Sequence, residues 1–175
     1  MAKRLGEKII FQTKLFTVKD IDIEFNTGKK VTYQVVEKKD TALLVPITDN
    51  NEVIFVKEYF YAIDQYQLGL PKGRIEEGDD SLKTANKELQ EEVGLKANKL
   101  VSLGELTMAP GYYTQKTHVF LATDLSESKL EGDEEEKLEI FKYPFDKFEE
   151  LIDSGQLTEA RMIAALFLAR RSLRA

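Results

Sequence analysis

Three glutamates, Glu88, Glu91 and Glu92, stand at i, i+3 and i+4 in the stretch between Gly73 and Leu95. At about 100° per residue an α-helix puts them within one sector roughly 100° wide. Like charges at this spacing repel mildly, and a divalent cation would relieve the repulsion. Clustered hard oxygen donors fit Mg²⁺ or Mn²⁺. Taken alone, such a triplet is more commonly a solvated acidic face. Other nucleophile chemistry has little to draw on. The chain has no cysteine and a single histidine. That histidine, His118, lies in an apolar strand-like run and reads as a core or edge residue.

The elements that must position the glutamates are legible around them. Asp79, Asp80 and Ser81 are N-cap candidates, because their side-chain oxygens can accept from the open N–H groups of a first helical turn. Leu82, Ala85, Leu89 and Val93 recur at helical spacing and predict a core-facing stripe. Gly94 suits the left-handed residue that ends a helix. The glutamates fall to one side of that stripe.

Upstream, residues 1–45 read as strands. Ile9 to Thr13 and Leu15 to Val18 come first; Ile21, Ile23 and Phe25 then alternate with polar residues. Asn26-Thr-Gly-Lys is a hairpin turn, and Val31 to Val36 is the return strand. A small antiparallel sheet of this kind is marginal alone. Thr41 to Thr48 and Val53 to Tyr59 flank a turn at Asp49 to Glu52 and predict a second hairpin. Tyr59, Phe60, Tyr61, Tyr66 and Leu68 form an aromatic-rich approach to Gly73, which reads first as core and second as a base-stacking surface. Downstream, strands are expected at Leu100 to Leu106, Thr117 to Ala122 and Leu138 to Tyr143. Residues 124–137 are charged and irregular. A short helix from Phe145 stops at Gly155, and a final helix capped by Thr158 carries Met162, Ile163, Ala165, Leu166, Leu168 and Ala169. The order predicts an α+β sandwich.

At 175 residues with 42% hydrophobic side chains, the chain can bury one sizeable core. The absence of cysteine rules out a disulfide framework and a zinc–cysteine site and fits a reducing, cytoplasmic setting. No apolar run reaches the length of a membrane span, and the first residues have no apolar signal core. A net charge of −6 argues against nonspecific nucleic-acid binding. It leaves a phosphate substrate open, because bound cations invert the local field.

The central stretch resembles the box of the Nudix hydrolase superfamily, G-x5-E-x7-R-E-U-x-E-E-x-G-U, where U is aliphatic. Gly73, Glu88, Leu89, Glu91, Glu92, Gly94 and Leu95 match at the required spacing. Asp79 stands where the family has Glu, and Lys87 where it has Arg. In the family these two are mainly structural partners, so the resemblance implies an altered loop–helix brace around an intact site; Lys lacks the bidentate fork of Arg.

The resemblance implies the Nudix fold, a mixed central β-sheet between helices. Its expected domains are residues 1–40, an antiparallel sheet acting as a dimerisation element, and residues 41–175, the hydrolase domain. It implies more than one Mg²⁺ or Mn²⁺ held by Glu88, Glu91, Glu92 and the backbone carbonyl of Lys72. It implies water attack on a diphosphate linkage, for which a metal cluster supplies charge neutralisation and water activation. In ADP-ribose hydrolases of the superfamily a loop glutamate serves as base, with a second two residues on; Glu134 and Glu136, within Asp133-Glu-Glu-Glu136, take those places. The box glutamates Glu88 and Glu91 are the alternative bases. Pro110, in Met108-Ala-Pro-Gly, matches a proline of ADP-sugar hydrolases and is the substrate-binding candidate. Similarity outside the box points to the branch acting on ADP-ribose, NADH and diadenosine polyphosphates, whose ADP-ribose-hydrolysing members are homodimers with exchanged N-terminal sheets. The competing expectations are a Nudix enzyme for another substrate, such as a GDP-sugar or a capped RNA end, and a non-catalytic nucleotide-sensing module.

Overall fold

The computed structural model describes residues 1–132 and 138–174. It divides into two compact units, one of residues 1–40 and 107–116, the other of residues 41–106 and 117–175.

The first unit is an antiparallel sheet of β1 (Lys3–Gln12), β2 (Thr17–Glu24) and β3 (Lys30–Glu37), in that order. Gly28 makes the β2–β3 turn at φ 79°, a conformation that costs a side chain-bearing residue more. Leu15 falls in the turn between β1 and β2, not in a strand. There the Thr13 hydroxyl accepts from the Leu15 and Phe16 N–H groups, both at 3.1 Å. Residues 107–116 attach to β3: Val36 N–H donates to the Tyr112 carbonyl at 2.7 Å, and Thr114 N–H to the Val36 carbonyl at 3.1 Å.

The second unit holds two sheets. One runs β7 (Lys72–Arg74), β4 (Thr41–Pro46), β9 (Lys116–Glu127), β8 (Leu95–Thr107); the other runs β10 (Glu139–Pro144), β5 (Glu52–Phe60), β6 (Gln65–Gly69). The first is mixed, since β4 pairs parallel with β9 and antiparallel with β7. The helices are α1 (Ser81–Glu88), continued by a π-helical turn over Leu89–Val93, then α2 (Phe148–Asp153) and α3 (Ala160–Leu173).

Every residue of β4 is buried, as expected of a strand covered on both faces. Its side chains alternate between two cores. Leu43 and Val45 join Val53, Phe55, Phe148, Leu151, Met162 and Leu166 on the α2–α3 side. Ala42 and Leu44 join Ile54, Val56, Ala85, Leu89 and Val93 on the α1 side. The outcome is an α+β architecture with helices on both faces of β4. No helix among the described residues is long and apolar enough to cross a membrane.

Several expectations require correction. β4 and β5 are not a hairpin; they belong to different sheets, joined only by an isolated bridge between Ile47 and Val53. Their separating turn carries hairpin chemistry, but β4 throughout and β5 over Val53–Val56 are buried on two faces, and each strand finds other neighbours. Leu82 is 43% exposed, so the helical stripe begins at Ala85. Tyr59, Tyr61 and Tyr66 are exposed rather than core; Tyr59 and Tyr66 pack as a cross-strand pair with ring centroids 5.2 Å apart. Glu159, not Thr158, caps α3, accepting from Arg161 N–H at 3.1 Å. Thr158 accepts instead from the Gln67 amide at 3.1 Å.

The outer helices are stapled by Arg170. Its guanidinium lies 4.8 Å from the Phe148 ring centroid and 4.7 Å from that of Phe167. It donates to both carboxylate oxygens of Glu149, at 2.8 and 3.2 Å. Those hydrogen bonds hold the Glu149 carboxyl below its ordinary range. A carboxylate with a lowered folded pKa adds stability above its unfolded pKa, and that stability is lost as pH falls through the folded value. The stability difference between wild type and Glu149→Gln in urea melts is therefore expected at pH 7 and should shrink on acidification below about 4.3, the ordinary glutamate value. A difference that persists undiminished at pH 3 would contradict the pairing.

Candidate functional site

The site is built where α1 ends against β7. Asp80 starts the helix, its carboxylate accepting from Leu82 and Lys83 N–H at 2.9 and 3.1 Å. Of the three N-cap candidates it is the one used. Asn86 fixes the far side, accepting from Ala97 N–H at 2.9 Å and donating to the Ala97 carbonyl at 3.1 Å. That exchange ties α1 to β8 through a side chain.

The helix then widens. Leu89–Val93 is a π turn, so the box is not one regular α-helix. Single π turns are rare and concentrate at functional sites. Gly94 closes the turn at φ 80°, its N–H reaching the Gln90 carbonyl at 3.2 Å. The chain near 128–130 braces the same turn. Leu130 N–H donates to the Gln90 carbonyl at 3.3 Å, Ser128 Oγ meets Gln90 Oε1 at 2.7 Å, and Lys129 Nζ donates to the Glu91 carbonyl.

Glu91 and Glu92 lie within this turn and are only 9% and 8% exposed. A solvated acidic face would not bury its carboxylates, and burial of such groups is costly without partners. Partners are present. Lys87 Nζ bonds Glu91 Oε2 at 2.8 Å, and the backbone N–H of Lys72 donates to Glu92 Oε2 at 3.2 Å. Glu88 is half-buried and lies against Gly73, so closely that a methyl group on residue 73 would overlap its carboxyl group. The glycine is therefore required by space here rather than by a left-handed backbone.

The structure thus brings Lys72, Gly73, Lys87, Glu88, Glu91, Glu92 and Gly94 together. Asp79 is exposed in the turn ahead of the N-cap, its N–H donating to the Glu76 carbonyl at 3.1 Å. Pro110 is in the first unit, within a turn where Ala109 accepts from Tyr112 and Tyr113 N–H at 3.0 and 2.9 Å. Glu134 and Glu136 lie outside the described residues. Glu58, Gln90 and Lys129 serve the site without any signal in the sequence. Gln90 reads as a spacer between ligands, while Glu58 and Lys129 come from distant segments, Glu58 to pair with Lys72 and Lys129 to donate to the Glu91 carbonyl.

Among the described residues no three acidic, histidine or cysteine side chains close into an ion cage. Glu88, Glu91 and Glu92 offer only carboxylate oxygen, buried at Glu91 and Glu92 and half-buried at Glu88. That donor set suits a hard cation bound through few protein ligands, with waters and substrate oxygens completing the shell, as is usual for Mg²⁺.

The family model described as NUDIX domain matches residues 37–166. The chain is 37% identical over 172 residues to ADP compounds hydrolase NudE of Escherichia coli (strain K12), covering 97% of this chain and 92% of that protein. It is 30% identical over 171 residues to an ADP-ribose pyrophosphatase of Bacillus subtilis (strain 168), covering 94% of this chain and 92% of that one. A solved structure described as ADP compounds hydrolase superposes with a TM-score of 0.89 at 36% identity, covering 99% of this chain and 94% of that structure.

The crowding at Gly73 yields a test. The atoms that a Gly73→Ala methyl group would meet belong to the flexible Glu88 side chain, so the fold should survive and the carboxylate should move. Displacement of a reacting group by about 1 Å can cost roughly 10²-fold in rate. Gly73→Ala should retain the wild-type circular dichroism spectrum and melting temperature to within a few degrees while diphosphate hydrolysis falls by that order. Full activity in the variant would show that Glu88 need not occupy its observed position.

Proposed function

This chain belongs to the Nudix family, and we propose that it is a divalent-metal-dependent hydrolase of ADP-linked compounds such as ADP-ribose, NADH and diadenosine triphosphate. The observation that carries the reading is the sheltered Glu91–Glu92 pair, joined by Glu88 over Gly73, in a chain similar along nearly its whole length to an ADP compounds hydrolase.

Glu88, Glu91 and Glu92, with the Lys72 carbonyl, would hold Mg²⁺ or Mn²⁺, more than one ion per site. Bound there, the ions would neutralise the diphosphate, orient it and lower the pKa of a water. Lys87 holds the Glu91 carboxylate in place and offsets its charge. Glu134 is assigned as general base, taking the proton of the attacking water, with Glu136 assisting at the metals and Glu88 as the alternative base. Water oxygen bonds to phosphorus, the bridging P–O bond breaks, and AMP leaves with a second phosphorylated product. Pro110 is assigned as a substrate-binding residue.

The working form is assigned as a homodimer through the first unit. Leu5, Ile9, Ile10, Phe11, Leu15 and Tyr33 are all exposed there. Large apolar side chains left in water on one small sheet are what a partner surface would cover. A cytoplasmic setting fits a chain without cysteine.

A substrate panel tests the reading. With Mg²⁺, ADP-ribose, NADH or diadenosine triphosphate should be turned over with AMP release and with higher kcat/KM than GDP-mannose. Glu92→Gln should lower kcat by at least roughly 10²-fold, the order seen when one preorganised electrostatic group is removed from a reaction centre. GDP-mannose as the best substrate would overturn the ADP assignment. Turnover of Glu92→Gln within a few-fold of wild type would overturn the metal assignment.

A further inference from the structure

Lys72 makes two kinds of contact at once. Its backbone N–H holds Glu92 Oε2 at 3.2 Å, and the next residue is the glycine on which Glu88 rests. Its side chain turns elsewhere. The ammonium ion-pairs with Glu58 and lies 5.5 Å from the Phe60 ring centroid. The side chain is only 15% exposed, and that of Glu58 34%. Glu58 and Phe60 belong to β5, in the sheet opposite to β7.

β7 needs such an anchor. It is three residues long and lies at the edge of its sheet, with β4 its sole neighbour there: Leu43 opposite Lys72, Ala42 opposite Gly73, Thr41 opposite Arg74. A short edge strand slides or frays readily, and a shift of one residue would exchange its two faces. Such a shift would withdraw the N–H from Glu92 and take the Gly73 recess away from Glu88. An exposed Lys–Glu pair contributes little to stability. This one is partly buried and stacked on an aromatic ring, where a cation gains more. It ties the strand to a sheet other than the one it shares with β4.

We propose that Lys72 is a positioning residue. Its ammonium, gripped by Glu58 and Phe60, sets the Lys72–Gly73 peptide, and through that peptide the Glu92 and Glu88 carboxylates that receive the divalent cation. The inference rests on the metal-site reading above. It assigns the lysine side chain a role toward the metal site, distinct from its backbone carbonyl and from any direct contact with substrate.

The test is Mn²⁺ binding by the substrate-free protein, followed by calorimetry or electron paramagnetic resonance, on Lys72→Met, Glu58→Gln, Lys72→Arg and Glu92→Gln. Steady-state kinetics with ADP-ribose at limiting and at saturating Mg²⁺ accompany it. Loss of a group that orients a metal ligand typically costs about 10- to 100-fold in metal affinity. Lys72→Met and Glu58→Gln should both show that weakening. Their kcat should fall at limiting Mg²⁺ and recover largely at saturating Mg²⁺, with KM for ADP-ribose unchanged. Lys72→Arg, which can still pair with Glu58, should stay within a few-fold of wild type. Unchanged Mn²⁺ affinity in Lys72→Met and Glu58→Gln, with Glu92→Gln weakened, overturns this inference and leaves the metal-site reading standing. Unchanged affinity in Glu92→Gln as well overturns that reading and this inference with it. A raised KM for ADP-ribose with intact Mn²⁺ binding in Lys72→Met also overturns it, because the ammonium would then be a substrate ligand.

Discussion

The structure depends on one constraint: neighbouring glutamate carboxylates must be sheltered from water, two of them against the backbone of β7. Glu91 and Glu92 are almost fully buried, and Glu88 presses on Gly73 of β7. Like charges at this density repel and lose hydration. They stay where they are because β7 supplies what they lack. Lys72 gives Glu92 a backbone N–H, and Gly73 gives Glu88 the volume of a missing side chain. Lys87 supplies Glu91 with a positive charge. Each group of the proposed site is thus answered by a neighbour within the box or directly ahead of it.

Around that contact the scaffold works to stop motion. Residues 128–130 engage the carbonyls of the π turn at Gln90 and Glu91. Asn86 locks the helix to β8. The two cores then clamp β4 between α1 on one face and α2–α3 on the other. β4 in turn carries β7. The π turn and the short edge strand are both held by elements distant in sequence.

That distance explains what could be read from residues alone. The Asp80 cap and the left-handed Gly94 are local, and the structure uses both. Gly73 matched a pattern, but its reason, room for the Glu88 carboxyl, needs the folded chain. The β4–β5 turn had hairpin chemistry, yet burial on both faces sends those strands to different sheets. Tyr59 and Tyr66 looked like core because aromatic residues usually are, whereas here they pair on an exposed surface. The π turn has no signature in Leu89-Gln-Glu-Glu-Val. Nothing local links Glu58 to Lys72, because their pairing is made between two sheets. Glu134, Glu136 and Pro110 rest on resemblance, and the packing at the box does not bear on them.

The most direct measurement is the location of the cation. Crystals grown with Mn²⁺ and an ADP-ribose analogue whose bridging oxygen is replaced by methylene would be examined at the manganese absorption edge. Anomalous peaks are expected within coordination distance, about 2 to 2.5 Å, of carboxylate oxygens of Glu88, Glu91 or Glu92 and beside the analogue's diphosphate. Manganese bound elsewhere, with the analogue's diphosphate remote from those three glutamates, would contradict the account.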